Sequence, residues 1–277
     1  MIESPLFILA SSHKAWYFLY LVNLLIAIKG WVFAGHFWSL SVEEHFYFIW
    51  PLIIYFFKEA QVIKIIVGII LISLISRFLY VEFSDKTIPV YVFTLFRLDP
   101  ILVGSLISII YKAELKFNLY KISRFSFIIT SLIWILFILV FKGYPQYPKI
   151  IQTIGYFNTS IFYGSLLILV MKNNNLKLLF SNKILTLFGK YSYSIYIFHV
   201  FIIIFLSKFF CLGQPEKVCL LLPLNYFNYI YVNYRNIYLF IDASLFIFLF
   251  FIILSIITSL SWKLIEKPFL TLKKSFK

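Results

Sequence analysis

The 277-residue sequence has little charge of either sign, and very little of it is acidic. Only 13% of the residues are charged and 62% are hydrophobic, and 25 Lys and Arg stand against 11 Asp and Glu. A soluble domain of this length needs far more polar surface, so the composition excludes a soluble protein. It predicts an all-α, polytopic integral membrane protein.

Glycine, proline and cysteine are also scarce. Nine glycines and nine prolines leave no room for a long disordered linker, so we expect one membrane domain over residues 1–277. Two cysteines, Cys211 and Cys219, are too few for a disulfide scaffold and lack a neighbouring His or Cys cluster, so we expect no metal site. Their spacing is equally compatible with a single bridge and with two unpaired thiols.

Apolar runs divide the sequence into candidate membrane spans. Seven of them are long enough to cross a hydrocarbon core of about 30 Å. An eighth segment, over 16–33, is interrupted by Asn23, Lys29 and Gly30, so it can span, re-enter or lie at the interface. The seven runs form a predicted helical core over 37–265 and cover residues 37–57, 62–81, 90–111, 125–141, 151–171, 191–210 and 239–265.

Basic residues are distributed unequally between the connecting segments. Although the net charge is +14, these residues lie between apolar runs, as topology-setting residues do, so we expect no nucleic-acid partner. Their excess after the first, third and fifth runs and in the C-terminal tail predicts that these segments are cytoplasmic. The expected location is a cell membrane, the bacterial inner membrane, with membrane lipid around the helices and a cytoplasmic C-terminus.

The stretch GHFWSLSVEEHFYFIWPL, residues 35–52, places two carboxylates where the chain enters an apolar helix. On a helix Glu43, Tyr47 and Trp50 share one face, whereas Glu44 projects about 100° away. Glu43 is therefore expected to point into a cavity, and Pro51 is expected to kink the helix beside it. The alternative is an interfacial polar cap on an ordinary helix.

Two arginines lie in or beside apolar runs, where an ionisable side chain needs a charged partner or a wet cavity. In LISLISRFLY, Arg77 continues a polar stripe that begins at Ser73, and the alternative is a cation that snorkels to the outer face. In FRLDPILVGSL, Arg97 and Asp99 enter the next run as a functional or a structural pair. Gly104 shares the face of Arg97 and would allow close helix approach.

Two further polar features mark the last third of the sequence. In GKYSYSIYIFHVFII, Ser192, Tyr196 and His199 form a stripe that faces either a cavity or another polar helix. In WKLIEKPF, Glu266 lies at the end of the last run, where Pro268 is expected to end the helix. No phosphate-binding or dinucleotide-binding loop is evident. Inward-facing Glu, His, Arg, Asp and Tyr suit acid/base transfer of an uncharged group or a gated transport path.

In the same order along the chain, these stretches resemble the motifs of the acyltransferase 3 family, membrane O-acyltransferases that acetylate lipopolysaccharide and other surface glycans. HFWSLSVEEHFYFIWPL is similar to the family signature H-x-WSLSvEeQFYLlWPl, although His45 stands where the family usually has Gln. FRLDPILVGSLIS, LFGKYSYSIYIFHVFII and EKP follow. The positions that match the motifs are His36, Trp38, Ser39, Glu43, Arg97, Asp99, Tyr193 and His199.

The resemblance implies a membrane O-acetyltransferase that transfers an acyl group from acyl-CoA to a hydroxyl of a cell-surface or lipid-linked carbohydrate, without a bound cofactor. His36 and Glu43 are expected to do acid/base and positioning work on the acceptor. Arg97 is expected to stabilise negative charge, with Asp99 orienting it. The expected substrate-binding residues are Trp38, Ser39, Tyr47, Tyr196 and His199.

Members of this family begin with about three further helices, which carry an essential histidine and an arginine motif for acyl-CoA, and this sequence does not match them. We expect the chain to correspond to the C-terminal seven spans, as an inactive fragment, a remnant or a split enzyme completed by a separate polypeptide. The alternative functions are a non-catalytic membrane subunit and a solute or polysaccharide transporter. The absence of inverted repeats makes transport less attractive.

Overall fold

The computed structural model describes residues 13–112, 118–142, 148–211 and 237–272, with side chains described over these ranges except 207–211 and 237–244. Every regular element within these ranges is a helix, so the all-α prediction is confirmed. The predicted alternatives for Cys211 and Cys219 concern side chains outside the described residues.

The chain divides into two compact units, Met1–Phe180 (unit 1) and Ser181–Lys277 (unit 2). Unit 2 contains α11 (Lys183–Cys211), α12 (Ile237–Ser261), a π turn (Trp262–Glu266) and α13 (Lys267–Leu272). Unit 1 contains, in order, α1 (Lys14–Phe18), α2 (Val22–Lys29), a 3₁₀ turn (Gly35–Phe37), α3 (Trp38–Phe56), α4 (Glu59–Phe83), α5 (Thr87–Val92), α6 (Thr94–Arg97), α7 (Asp99–Lys112), α8 (Leu119–Phe141), a π turn (Ile151–Gly155), α9 (Tyr156–Lys172) and α10 (Asn174–Phe180).

The prediction of a polytopic membrane protein is confirmed, although the number of spans stays a prediction. Helix α3 continues through Pro51 for 19 residues but is not among the helices that are apolar enough to cross a membrane. Five helical stretches in the described part of the chain are both long and apolar enough: Glu59–Phe83, Leu119–Phe141, Ile151–Lys172, Lys183–Leu206 and Leu245–Leu272.

The predicted span over 90–111 is wrong as a single helix. The chain instead forms three short helices, α5 to α7, which are interrupted at Phe93 and Leu98. Pro100 lacks the N–H that would bond the carbonyl of Phe96 in a continuous helix, so that carbonyl needs another donor. The Nη1 atom of Arg77 supplies it at 2.7 Å.

The ambiguous segment over 16–33 forms two short helices, α1 and α2, of five and eight residues. The helix is interrupted at Tyr20, whose φ of 55° lies in the left-handed region. Asn23, which was expected to interrupt the segment, lies buried inside α2. The hydroxyl of Tyr17 donates to the carbonyl of Phe33, which ties the two ends of the segment together. Neither helix is long enough to cross a membrane.

The core of unit 1 forms where α4 and α7 pack together through Val62, Ile66, Ile70, Leu102 and Val103. Helices α7 and α9 run side by side in the same direction, because three contacts follow one another along both helices. Arg97, just before α7, lies over the ring of Tyr156 at the start of α9. Gly164 then packs against Val103 and Ile107, and Lys172 lies 4.8 Å from the ring of Tyr111.

Unit 2 is built on α11 and α12, which pack through Ile202, Leu206 and Leu254. The prediction that Pro268 ends the last helix is wrong, because the chain continues through the π turn into α13. Pro268 is the second residue of α13 and lies two residues after the π turn.

Candidate active site

A cavity of about 440 Å³ lies inside unit 1 and receives side chains from six helices. Its polar end lies around the start of α7 and α9, and its apolar end lies two turns further along both helices, where Gly104 and Gly164 line the wall. The lining residues are Arg77, Tyr91, Phe96, Arg97, Asp99, Pro100, Val103, Gly104, Ile107, Trp134, Tyr156, Thr159, Ser160, Tyr163, Gly164 and Leu167.

A fully buried ion pair forms the base of the polar end. Arg77 Nη2 lies 2.7 Å from Asp99 Oδ2, and both residues have no exposed surface. Ser73 donates to Asp99 Oδ1 at 2.9 Å, so both carboxylate oxygens have partners. The interpretation of Arg77 as a snorkelling cation is therefore wrong. Arg77 also lines the cavity. Its Nε has no hydrogen-bond partner among the described residues.

Arg97 lies beside this ion pair in a cage of three aromatic rings. Its guanidinium carbon is 4.4 Å from the ring centre of Tyr156, 5.4 Å from that of Tyr91 and 5.5 Å from that of Trp38. Ring faces attract cations but do not neutralise them. Within the described ranges no carboxylate forms an ion pair with Arg97, although the charge of Asp99 acts on it from nearby.

The structure corrects the expected pairing of Asp99 with Arg97. The two residues lie on different short helices, on either side of the interruption at Leu98. Residues two positions apart do not face each other on a helix, and Asp99 instead pairs with Arg77 of α4. Asp99 is therefore the ion-pair partner of Arg77 and not of Arg97.

Two hydroxyl groups that line the cavity already donate to carbonyls of their own helix or turn. The hydroxyl of Thr159 donates to the carbonyl of Gly155 at 2.9 Å, and that of Ser160 donates to the carbonyl of Tyr156 at 3.1 Å. These two protons are thus occupied by the chain itself, while Arg97 presents N–H groups that can only donate. A ligand with a negative or strongly accepting oxygen matches this arrangement.

The first motif reaches a cavity residue, Arg97, through Trp38, which is not itself among the lining residues. Trp38 begins α3 and contacts Arg97. His36 lies in the preceding 3₁₀ turn, where its ring centre is 4.3 Å from that of Phe37, and it is not among the lining residues. Ser39 is half-buried in the first turn of α3. The catalytic role of His36 stays a prediction.

The face of Glu43 and Tyr47 lies away from this cavity. Glu43 is exposed and Tyr47 is 58% exposed, whereas Trp50 on the same stripe stacks on Phe46 and packs against the core. Helical spacing does place Glu43 and Tyr47 on one face, but the buried face of this turn carries Ser41 and Val42 instead. The structure therefore differs from the expectation that Glu43 points into the cavity.

His45, where the sequence departs from the family motif, makes a contact that reaches the cavity helices. Its Nδ1 lies 2.8 Å from the hydroxyl oxygen of Thr94 in α6, and the amide of Asn23 donates to that oxygen at 2.7 Å. His45 therefore keeps a hydrogen bond at the position where the family usually has Gln.

The late polar stripe lies in unit 2. His199 Nδ1 is 2.7 Å from the carbonyl oxygen of Tyr196; since a carbonyl only accepts, this nitrogen carries the proton. The fully buried Ser194 donates to a carboxylate oxygen of Glu266, and its oxygen lies 3.0 Å from Ser261 Oγ. Glu266 therefore joins α11 to the π turn rather than only closing the last helix. Substrate binding by Tyr196 and His199 stays a prediction.

Sequence reasoning missed several residues of this site. Tyr91, Trp134 and Tyr156 line the cavity, and nothing in their local sequence distinguishes them from the many other aromatic residues. Arg77 did carry a signal, since its polar stripe with Ser73 is uncommon in an apolar helix. Among the described residues no cluster of three or more His, Cys, Asp or Glu could hold a metal ion.

Comparison with known proteins identifies the family. The model described as "Acyltransferase domain", acyltransferase 3, matches residues 4–262. The chain belongs to the acyltransferase 3 family. Among its relatives is "Putative O-acetyltransferase SACOL0978" of Staphylococcus aureus strain COL, 30% identical over 84% of this chain and 36% of the relative.

A second acyltransferase 3 relative is O-acetyltransferase OatA of Staphylococcus aureus strain NCTC 8325, 28% identical over 65% of this chain and 31% of the relative. The chain thus spans about a third of the length of the relatives it matches. No solved structure gives a significant match. Family membership agrees with the resemblance found in the motifs.

Proposed function

We propose that this chain carries the acyl-transfer site of a membrane O-acetyltransferase. The donor is acyl-CoA, with acetyl as the expected group, and the acceptor is a hydroxyl of a cell-surface or lipid-linked carbohydrate. The protein lies in the cell membrane with its C-terminus in the cytoplasm. The observation that carries the proposal is Arg97, a cation that is caged by aromatic rings at the wall of the cavity and has no ion-pair partner among the described residues.

The chemistry of the transfer explains why such a cation is useful. The acceptor oxygen attacks the thioester carbonyl carbon, the new C–O bond forms, and the C–S bond breaks as the thiolate of CoA leaves. The proton of the acceptor hydroxyl passes to a base and then to that thiolate. Negative charge develops on the carbonyl oxygen in between, and fixed donors in a site shielded from water stabilise it strongly.

The neighbouring ion pair supports the same role for Arg97. Because Asp99 is already paired with Arg77 and Ser73, it acts on Arg97 as a nearby charge and not as an ion-pair partner. The rings of Tyr91 and Tyr156 hold the guanidinium without offering a counter-charge. Arg97 can therefore donate to an oxyanion that exists only during the reaction.

The test uses membranes from a host whose surface glycan lacks O-acetyl groups. The chain, alone and with any in-frame upstream sequence, is supplied with labelled acetyl-CoA, and label in the glycan is measured at matched protein abundance. Arg97→Ala should lower transfer by about 10²- to 10³-fold, the usual cost of removing an oxyanion donor. Arg97→Lys should recover only part, because it keeps the charge and loses the planar fork.

Arg124→Ala provides the matched control, since Arg124 is exposed on α8 of the same unit and should be replaceable without loss. Full transfer by Arg97→Ala would refute the assignment of Arg97. Parallel His36→Ala and Glu43→Ala variants test the remaining predicted residues: loss of transfer at normal abundance supports each role, and retained transfer removes it.

A further inference from the structure

We propose that Asn23, His45 and Thr94 form a positioning cluster that holds α6 in the rotation that keeps Arg97 over Tyr156. The catalytic meaning of this inference rests on the proposed function, but its structural content does not. The three residues belong to α2, α3 and α6, so the cluster connects the N-terminal part of unit 1 to the cavity arginine.

One hydroxyl group joins the three helices. The amide nitrogen of Asn23, which can only donate, lies 2.7 Å from Thr94 Oγ1, so that oxygen accepts one hydrogen bond. The proton of Thr94 is then available to His45 Nδ1 at 2.8 Å. The backbone of Tyr20 provides a second hydrogen bond to His45, which fixes the orientation of the ring.

Helix α6 needs external contacts because it consists of four residues. One helical turn has no stability of its own, since nucleation costs more than its few hydrogen bonds return. The backbone is extended at Phe93 before α6 and the helix is interrupted again at Leu98 after it. Because α6 is not continuous with α5 or α7, the backbone alone does not fix its rotation.

Two side-chain contacts hold the two ends of α6. Thr94, its first residue, is held by the cluster, and the carbonyl of Phe96, near its end, accepts from Arg77 at 2.7 Å. Arg97 is the last residue, so a rotation of this single turn moves its guanidinium across the ring of Tyr156. A displacement of about 1 Å in an active site can cost up to 10²-fold in rate.

The experiment compares isosteric pairs in membranes that contain the full chain. Thr94→Val and His45→Leu keep the shape and remove the hydrogen bond, whereas Thr94→Ser and His45→Asn keep a hydrogen-bonding atom in the same place. We expect Thr94→Val and His45→Leu to lower kcat for acyl transfer about 10- to 100-fold with little change in KM. Thr94→Ser and His45→Asn should retain most of the native kcat. In an Arg97→Ala background, Thr94→Val should have no further effect.

A second measurement does not depend on transfer. Phenylglyoxal modifies guanidinium groups, and peptide mass spectrometry gives the rate at Arg97 relative to that at the exposed Arg124. Thr94→Val and His45→Leu should raise this ratio several-fold because Arg97 leaves its cage. Thr130→Val is the control, since the hydroxyl of Thr130 donates only to carbonyls of its own helix, at 2.8 and 3.1 Å.

The outcomes separate this inference from the proposed function. An unchanged labelling ratio in both variants overturns the positioning cluster, whatever the transfer rate. A raised ratio in a chain that transfers no acyl group supports the cluster and refutes the proposed function. Equal losses in Thr94→Val and Thr94→Ser would also overturn it, because the hydroxyl would then not be the group that matters.

Discussion

The two units treat their buried polar groups differently. In unit 1, Arg77 and Asp99 neutralise each other, and Arg97 lies at a cavity without an ion-pair partner among the described residues. In unit 2, Ser194 and Glu266 satisfy one another across α11 and the π turn. A closed polar cluster stabilises packing, whereas a buried cation beside open space costs stability. The role on a ligand that we propose for Arg97 would account for that cost.

The largest loss of stability is expected when the ion pair of unit 1 is broken, which removes the neutralised half of this comparison. Asp99→Asn keeps the shape but leaves the charge of Arg77 buried without a partner, which should cost about 3–5 kcal/mol of the free energy of unfolding. Unfolding in detergent on addition of SDS, followed by helix content, measures the change. The double variant Arg77→Met with Asp99→Leu should recover most of the loss; equal stability of Asp99→Asn and the native chain would contradict the pairing.

The next largest loss of stability is expected where α7 and α9 pack together beside the cavity. A Cβ added at Gly164 would lie 2.7 Å from Val103 Cγ1 and 3.0 Å from Ile107 Cδ1. Gly164→Ala should therefore destabilise the protein by about 1–3 kcal/mol, the usual range for overpacking. The same SDS titration measures it, and a neutral result would show that these two helices can separate without cost.

A smaller effect is expected in unit 2. Ser194→Ala removes the hydroxyl that donates to Glu266 and contacts Ser261, at a cost of about 1–2 kcal/mol for a half-buried carboxylate. Acyl transfer per folded molecule should not change, because this cluster is structural. Ser255→Ala, which loses only a bond to its own helix, is the control. A selective loss of transfer in Ser194→Ala would show that the comparison between the units is wrong.

The smallest effect is expected at Gly104. No atom lies within 4 Å of a Cβ built at this residue, so Gly104→Ala meets no clash and should stabilise α7 by about 0.5–1 kcal/mol. In the same SDS titration Gly104→Ala should raise the stability and Gly164→Ala should lower it, so the sign of the change distinguishes the two variants. Destabilisation by Gly104→Ala would mean that the cavity wall is tighter here than the structure has it.

The fold class could be predicted because hydrophobic length alone decides it. Long apolar runs cannot remain in water, and a lone chain segment in lipid satisfies its backbone only as a helix. The interruptions at Leu98 and Tyr20 were not foreseen in the same way. The first depends on Arg77, nineteen residues before Phe96, supplying a donor to the carbonyl that Pro100 leaves without one, and a local pattern contains no information on that contact.

The site was predicted in part. Arg97 and Asp99 do line one cavity, and Trp38 does contact Arg97, so the motifs indicated the right neighbourhood. The partner of Asp99 and the exposed position of Glu43 were not predicted. Helical periodicity shows which residues share a face, but only the packing of other helices decides whether that face is buried.

The two π turns have a consequence for the history of the chain. Each holds one residue more per turn than an α-helix, and such turns often lie beside functional groups. One directly precedes Tyr156, and the other contains Trp262 and ends at Glu266. A one-residue insertion into an ancestral helix would produce each of them and rotate the following residues by about 100°. Related chains should therefore differ in length by single residues at these two places, and a change of that kind could re-aim an aromatic or acidic side chain without any substitution.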